Sequence, residues 1–159
     1  MKTLLKIIIL TIFLLLVFTT NAQKFEKGFR LGYGLNGGIP VNKQFDFSLG
    51  ADVRLQYDLT LKTSLSATTG YTELFSKPEG DRGFIPLKLG FKSFLGNQIY
   101  ILGEAGQAVG LKKEFGSSFL WTPGIGIATK HIDVSLRYEN YTKYETGQIS
   151  FRLAYGYKL

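Results

Sequence analysis

The chain has 159 residues, enough for one domain, and it contains no cysteine, which excludes disulfides, Cys-ligated zinc, thiol chemistry and a lipid-modified N-terminal cysteine. Its formal net charge is +7, but the basic residues are spread singly along the chain and are interleaved with acids. This distribution is typical of solvated or paired charges rather than of a nucleic-acid interface, so we expect no nucleic-acid partner.

The first 22 residues have the pattern of a signal peptide. Lys2 and Lys6 give a positively charged start, residues 7–18 are apolar, and residues 20–22 (Thr-Asn-Ala) offer a cleavage site before Gln23. The apolar stretch is shorter than the roughly 20 residues that a transmembrane helix needs. We therefore predict an exported protein, with residues 1–22 as a cleaved signal peptide and residues 23–159 as one β-barrel domain.

The mature part alternates between apolar and polar side chains, most clearly over residues 45–57, FDFSLGADVRLQY. Odd positions there are apolar or aromatic, and even positions are polar, charged or glycine. Because successive side chains of a strand point to opposite faces, this pattern predicts a strand with one apolar and one polar face. The stretch exceeds the usual strand length of about 5–6 residues, and it is long enough to cross a bilayer when tilted.

The same alternation predicts eight strands in the mature chain. Strand five is the least regular, because Tyr100 and Leu102 interrupt the alternation; there we place Glu104 on the inner face. Pro123 is unexpected within strand six, since proline lacks a ladder donor, and it predicts a bulge or a position above the bilayer. In chain order the predicted strands cover residues 29–36, 45–57, 61–71, 85–92, 99–109, 119–127, 132–139 and 149–159.

The predicted connections alternate in length. Long loops follow strands one, three, five and seven, the last over residues 140–147, and short turns follow strands two, four and six. An even strand count with this alternation is typical of an up-and-down barrel in an outer membrane, with short periplasmic turns, longer extracellular loops and periplasmic termini.

The sequence of a soluble, lipocalin-like barrel would show the same alternation. The sizes of the side chains on the two faces must therefore distinguish a membrane barrel from a soluble one. The polar face is rich in Gly, Ser, Thr and Ala, which suits the crowded interior of an eight-stranded barrel. The other face carries Phe, Tyr, Leu and Ile, which suits lipid. We therefore predict an eight-stranded antiparallel up-and-down transmembrane β-barrel and keep a soluble periplasmic ligand-binding barrel as the alternative.

Charged residues of both signs fall on the predicted inner face. In a narrow lumen they must be paired or hydrogen-bonded, because an unpaired buried charge is costly. We interpret them as a structural network that keeps the barrel closed, with a narrow pore or proton path as the alternative. Glu104 is expected to pair with a base on a neighbouring strand, Lys88 first. The predicted lumen residues are Asp46, Asp52, Arg54, Lys88, Glu104, Asp133, Arg137, Glu139 and Arg152.

The chain offers little chemistry for catalysis or cofactor binding. Residues 32–37 match G-x-G-x-x-G, but Gly-Ile-Pro follows instead of the helix that a dinucleotide site needs. His131 is the only histidine and falls in a predicted turn, so we interpret it as solvated rather than as part of a serine–histidine or metal site. We expect no enzyme activity, no cofactor and no metal.

With its signal peptide, its short alternating strands, the segment IPLKLGFK (85–92) and the final strand FRLAYGYKL (151–159), the chain resembles the small outer-membrane β-barrel proteins of Gram-negative bacteria. It is most similar to the outer membrane protein beta-barrel domain family common in Bacteroidetes. The resemblance spans the mature chain and implies fold and location, but little about activity.

The final strand also resembles the C-terminal signal of the barrel-assembly machinery, which usually ends in an aromatic residue and ends here in Leu159. The resemblance thus implies that machinery as a partner during biogenesis and outer-membrane lipid as the surroundings. We expect a structural or interaction role through the extracellular loops.

Overall fold

The computed structural model describes residues 27–42, 45–76, 80–112 and 116–159. The strands are β1 Gly28–Pro40, β2 Phe47–Asp58, β3 Thr63–Phe75, β4 Arg82–Phe94, β5 Ile99–Gly110, β6 Ser117–Ala128, β7 Ile132–Tyr141 and β8 Thr146–Lys158. Each strand pairs antiparallel with the next, and β8 pairs with β1, so the sheet closes into a barrel. The predicted eight-stranded antiparallel barrel is confirmed, while the predicted signal peptide lies outside the described residues.

The closed sheet is strongly staggered. If paired residues are followed from Leu31 of β1 around all the strands, the path passes Trp121 of β6 and Asn140 of β7 and returns at Val41, ten residues further along the chain. Such a shift is what closure requires, because tilted strands can only meet out of register. In the described ranges, the structure contains no helix long and apolar enough to span a membrane.

The large apolar side chains point away from the barrel axis. Leu35 and Leu89 are 69% and 71% exposed, whereas most even positions of β4 are buried. Tyr100 and Leu102, which interrupt the alternation of β5, follow the polar face into the lumen, where Tyr100 is fully buried. Glu104 lies inside as predicted.

Pro123 lies within β6 without a bulge. Trp121 is opposite Asn140 and Gly124 is opposite Arg137, so β6 and β7 keep one register on both sides of the proline and no residue is inserted. On the other edge of β6, Pro123 itself is paired with Gly103. The predicted bulge is therefore absent; the interruption lies in the ladder to β7, where proline has no N–H to donate.

The connections are more alike than predicted, and those predicted to be long are shorter. The prediction of a long loop at 140–147 is wrong, because β7 and β8 extend into this range. Glu145, at a φ of 49°, helps to close the tight turn that remains. We call one end of the barrel the loop end and the other, which also carries Gly28 and Lys158, the turn end. Connections at the loop end span 41–46, 76–81, 111–116 and 142–145, and those at the turn end span 59–62, 95–98 and 129–131.

Candidate functional site

Glu104 of β5 organises the centre of the lumen. One of its carboxylate oxygens accepts hydrogen bonds from Arg54 Nη2 at 2.6 Å and Thr68 Oγ1 at 3.0 Å. Lys88 Nζ and Arg137 Nη1 each lie 3.5 Å from the other oxygen. Bases from β2, β4 and β7 thus converge on one buried carboxylate. The expected pair with Lys88 is present, but the shortest contact crosses the lumen to Arg54.

A second ion pair joins β8 to β2 across β1. Arg152 donates to both oxygens of Asp52, with Nε 2.8 Å from Oδ2, and Asn36 donates to the same carboxylate at 2.8 Å. The Arg152 guanidinium passes directly over Gly34, where a Cβ would lie 2.6–2.7 Å from three guanidinium atoms. Only glycine leaves the room that Arg152 needs at this position to reach Asp52.

A third cluster lies closer to the turn end. Asp133 of β7 accepts hydrogen bonds from Lys92 Nζ and from the Tyr100 hydroxyl, the latter at 2.5 Å. Lys92 also lies 3.8 Å from the centre of the Tyr100 ring, which adds a cation–π contact. Arg152 Nη1 is 4.0 Å from Asp133, so this cluster adjoins the second ion pair. Lys92 is absent from the predicted set, although its even position in β4 matches that of Lys88.

Glu139 extends the polar network towards the loop end. Lys88 Nζ lies 3.1 Å from one of its oxygens, and Gln148 Nε2 and the Tyr141 hydroxyl donate to the other at 2.6 Å and 3.0 Å. We call the ion-paired charges of the lumen, which form two neighbouring groups, the charged belt. The charged belt consists of Asp52, Arg54, Lys88, Lys92, Glu104, Asp133, Arg137, Glu139 and Arg152.

The structure brings together all the predicted lumen charges except Asp46. Asp46 is exposed in the connection before β2, while its neighbour Phe45, expected on the lipid face, is 4% exposed and points inward. The prediction for both residues is wrong because β2 begins at Phe47, and the alternation no longer determines direction beyond the strand end.

An apolar cluster closes the lumen at the loop end. The rings of Phe84 and Tyr141 meet edge to face at 4.9 Å between centres, and Arg82 lies 5.1 Å above the ring of Phe45. The Tyr144 hydroxyl donates to the carbonyl oxygen of Gly116 at 3.0 Å, and burial raises the pKa of this phenol, which keeps it a donor. We call this cluster the apolar plug. It consists of Phe45, Leu74, Phe84, Ala108, Leu120, Tyr141 and Tyr144.

Sequence reasoning missed the apolar plug, although a signal for it exists. Leu74, Phe84 and Leu120 occupy even positions near the loop ends of β3, β4 and β6, where the alternation assigns an inward direction. Apolar residues at inward positions near the same end of several strands indicate a plug once the strands are known to close.

The residues considered for catalysis or cofactor binding lie in a connection and in a strand. His131 is exposed at the turn end, with Nδ1 3.2 Å from the carbonyl oxygen of Gly156 and its ring stacked on Tyr155. Residues 32–37 form part of β1. Within the described ranges, no group of three or more His, Cys, Asp or Glu side chains is placed to hold a metal ion.

No family model and no curated protein sequence matches the chain. Among solved structures, it is similar to Ail of Yersinia pestis, with a TM-score of 0.62 and 12% identity, covering 85% of this chain and 100% of Ail. It is also similar to Neisserial surface protein A (TM-score 0.54, 11% identity, 83% and 97% covered).

A third similar structure is the N-terminal barrel of Pseudomonas aeruginosa OprF, with a TM-score of 0.53 and 11% identity, covering 83% of this chain and all of that barrel. At such identities the likeness establishes the fold. The chain has the fold of small Gram-negative outer-membrane barrels, and the finer assignment to a Bacteroidetes family stays a prediction.

Proposed function

We propose that the chain is an integral outer-membrane β-barrel with a closed lumen, whose role is structural or interactive rather than catalytic. The observation that supports this proposal is the polarity of the barrel, which has charged side chains inside and large apolar side chains outside. Arg137 and Arg152 are 2% and 1% exposed, while Leu35 and Leu89 are among the most exposed of the large apolar side chains. In water, folding would bury such leucines and leave such charges outside, so the arrangement fits a surrounding of lipid.

The contents of the lumen argue against the alternatives. A soluble ligand-binding barrel would need an apolar interior cavity, but the interior is crossed by the contact between Arg54 and Glu104 and by the rest of the charged belt. A pore would need an open path, but the apolar plug closes the loop end with side chains such as Phe84 and Tyr141, both 1% exposed.

The proposal includes export and orientation. Residues 1–22 act as the signal peptide, the barrel-assembly machinery inserts the chain, and the turn end with both termini faces the periplasm; short turns at that end support this orientation. Because the loop-end connections are short, an extracellular partner would contact a compact rim of strand ends rather than long loops.

The first experiment compares the gel mobility of unboiled and boiled protein from outer-membrane fractions. A closed barrel has no free strand edge, so we expect it to resist detergent until heated and to change mobility on boiling. Liposome swelling with small sugars, with empty liposomes as the control, should show no added permeability. Soluble periplasmic protein without a mobility shift would overturn the membrane assignment, and rapid swelling would overturn the closed lumen.

A further inference from the structure

The outer surface of the barrel has an apolar groove of about 590 Å³ on the side where β1 and β8 meet. The small side chain of Ala51 is paired with Leu35 of β1, which leaves a depression between larger neighbours. Its lining includes Tyr33, Leu35, Ala51, Ile132, Leu153 and Tyr155.

Basic side chains gather at the turn end of the same side. Lys130 and His131 lie in the connection before β7, Lys158 ends β8 and Lys27 precedes β1, and all four are exposed. Arg30 of β1 contacts the same connection, since its Nη1 donates to the carbonyl oxygen of Lys130 at 3.3 Å. We call these residues the basic sector: Lys27, Arg30, Lys130, His131 and Lys158.

Among the residues that the structure describes, bases outnumber acids in and around the basic sector. One acid, Asp58, is bound to Arg30 Nε at 2.9 Å, and its side chain is 15% exposed. At the loop end, by contrast, the exposed charges among the described residues are of both signs: Asp46, Asp81, Lys112, Lys143 and Glu145. In the described part of the chain, the excess of exposed bases over exposed acids therefore lies at the turn end.

The groove and the basic sector meet at Tyr155. The ring of His131 stacks on the ring of Tyr155 at 5.6 Å between centres, and Ile132, the next residue, is paired with Tyr155 in the sheet. The basic sector is thus next to the apolar groove. An amphipathic molecule with a negative head and an apolar tail fits both, with its head at the lysines and its tail in the groove between β1 and β8.

We propose that this side of the barrel binds an anionic phospholipid, with the phosphate at the basic sector and an acyl chain in the groove. This inference rests on the proposed membrane location. Each lysine near an anionic lipid surface contributes about fivefold to binding, and the attraction should weaken with added salt.

The test uses the full mature chain in detergent micelles, titrated with phosphatidylglycerol or phosphatidylcholine of equal chain length, and counts retained lipids by native mass spectrometry. We expect phosphatidylglycerol to be retained about tenfold better. Lys130→Gln should weaken its retention about fivefold. Lys62→Gln is the matched control, because Lys62 is also an exposed lysine in a turn-end connection but lies outside the basic sector.

A second pair of variants tests the groove. Ala51→Phe fills it, whereas Ala67→Phe places the same ring on the adjacent strand β3, at an alanine that is also exposed but does not line the groove. We expect Ala51→Phe to lower phosphatidylglycerol retention at least threefold and Ala67→Phe to leave it unchanged.

Three results would overturn the inference: equal retention of the two lipids, equal effects of Lys130→Gln and Lys62→Gln, or full competition by inorganic phosphate, which would indicate an adventitious anion. The mobility shift on boiling verifies the barrel of every variant. A wild-type chain that shows this shift but no lipid preference would refute this inference alone, whereas a chain absent from membranes would refute the proposed function.

Discussion

The charged belt and the apolar plug occupy the same lumen, but they hold it closed by opposite means. In the charged belt, Glu104 is surrounded by three bases, and each charge is tolerated because of the others. In the apolar plug, Phe84 and Tyr141 are buried by direct packing of their rings. Charges in a low-dielectric interior depend on their partners, whereas apolar groups each gain from their own loss of water contact.

This difference predicts how the two regions fail. Loss of one member of the charged belt leaves its partners as uncompensated buried charges, so the damage exceeds the lost contact itself. Loss of one member of the apolar plug leaves a cavity, and the damage scales with the volume removed. Substitutions in the two regions can therefore be compared directly in the same refolding experiment.

The largest effect is expected from Glu104→Gln, which keeps the shape of the side chain but leaves Arg54, Lys88 and Arg137 without their shared carboxylate. Removal of one partner of a buried ion pair costs about 3–5 kcal/mol. The free energy of unfolding can be measured by urea titration of the barrel in phospholipid vesicles, followed by fluorescence of Trp121, the only tryptophan.

Glu145→Gln is the control for this substitution, because Glu145 is an exposed acid at the loop end, and its change should stay within about 0.5 kcal/mol. A double-mutant cycle with Arg54→Met and Lys88→Met should give the larger coupling for Arg54, whose contact with Glu104 is shorter. Equal stability of Glu104→Gln and Glu145→Gln would contradict the dependence of the charged belt on its central acid.

Phe84→Ala should have the next largest effect. It removes a ring that is 1% exposed, and we expect a loss of about 3 kcal/mol through lost transfer free energy and a residual cavity. The same substitution at Phe119, which is outward and 51% exposed, is the control and should cost clearly less.

Liposome swelling with Phe84→Ala adds a functional comparison of the two regions. We expect no increase in permeability, because the charged belt still fills the lumen below the opened plug. A clear increase would show that the apolar plug alone closes the barrel and that the charged belt leaves a path for solutes.

The facing of most side chains could be predicted from the sequence, for a simple physical reason. A strand has a side-chain period of two and a closed barrel has two distinct surroundings, so one residue of known direction orients its whole strand. Lys88 and Leu89 are assigned correctly on this basis, one inward and one outward.

The ends of strands and the contacts across the lumen could not be predicted in this way. Phe45 turns inward because it lies just outside β2, where the chain leaves the pleated path. The contact between Arg54 and Glu104 joins β2 to β5, and it depends on the stagger with which the barrel closes. Alternation along single strands contains no information about that stagger.

The smallest of the three effects is expected from Gly34→Ala, which tests whether glycine makes room for the charged belt. The added Cβ would displace the Arg152 guanidinium and weaken its ion pair with Asp52. We expect a loss of about 2 kcal/mol, as for overpacking of a filled interior, measured by the same urea titration.

Gly96→Ala is the matched control, because a Cβ at Gly96 meets no atom within 4 Å. In an Arg152→Met background, the cost of Gly34→Ala should fall by half or more, since a flexible thioether can move aside where a guanidinium bound to Asp52 cannot. If the cost stays the same in that background, the alanine acts on the backbone of β1 and not on the ion pair. The glycine and the charges of this lumen would then be independent features, whereas the structure presents Gly34 as the reason that Arg152 can reach across β1.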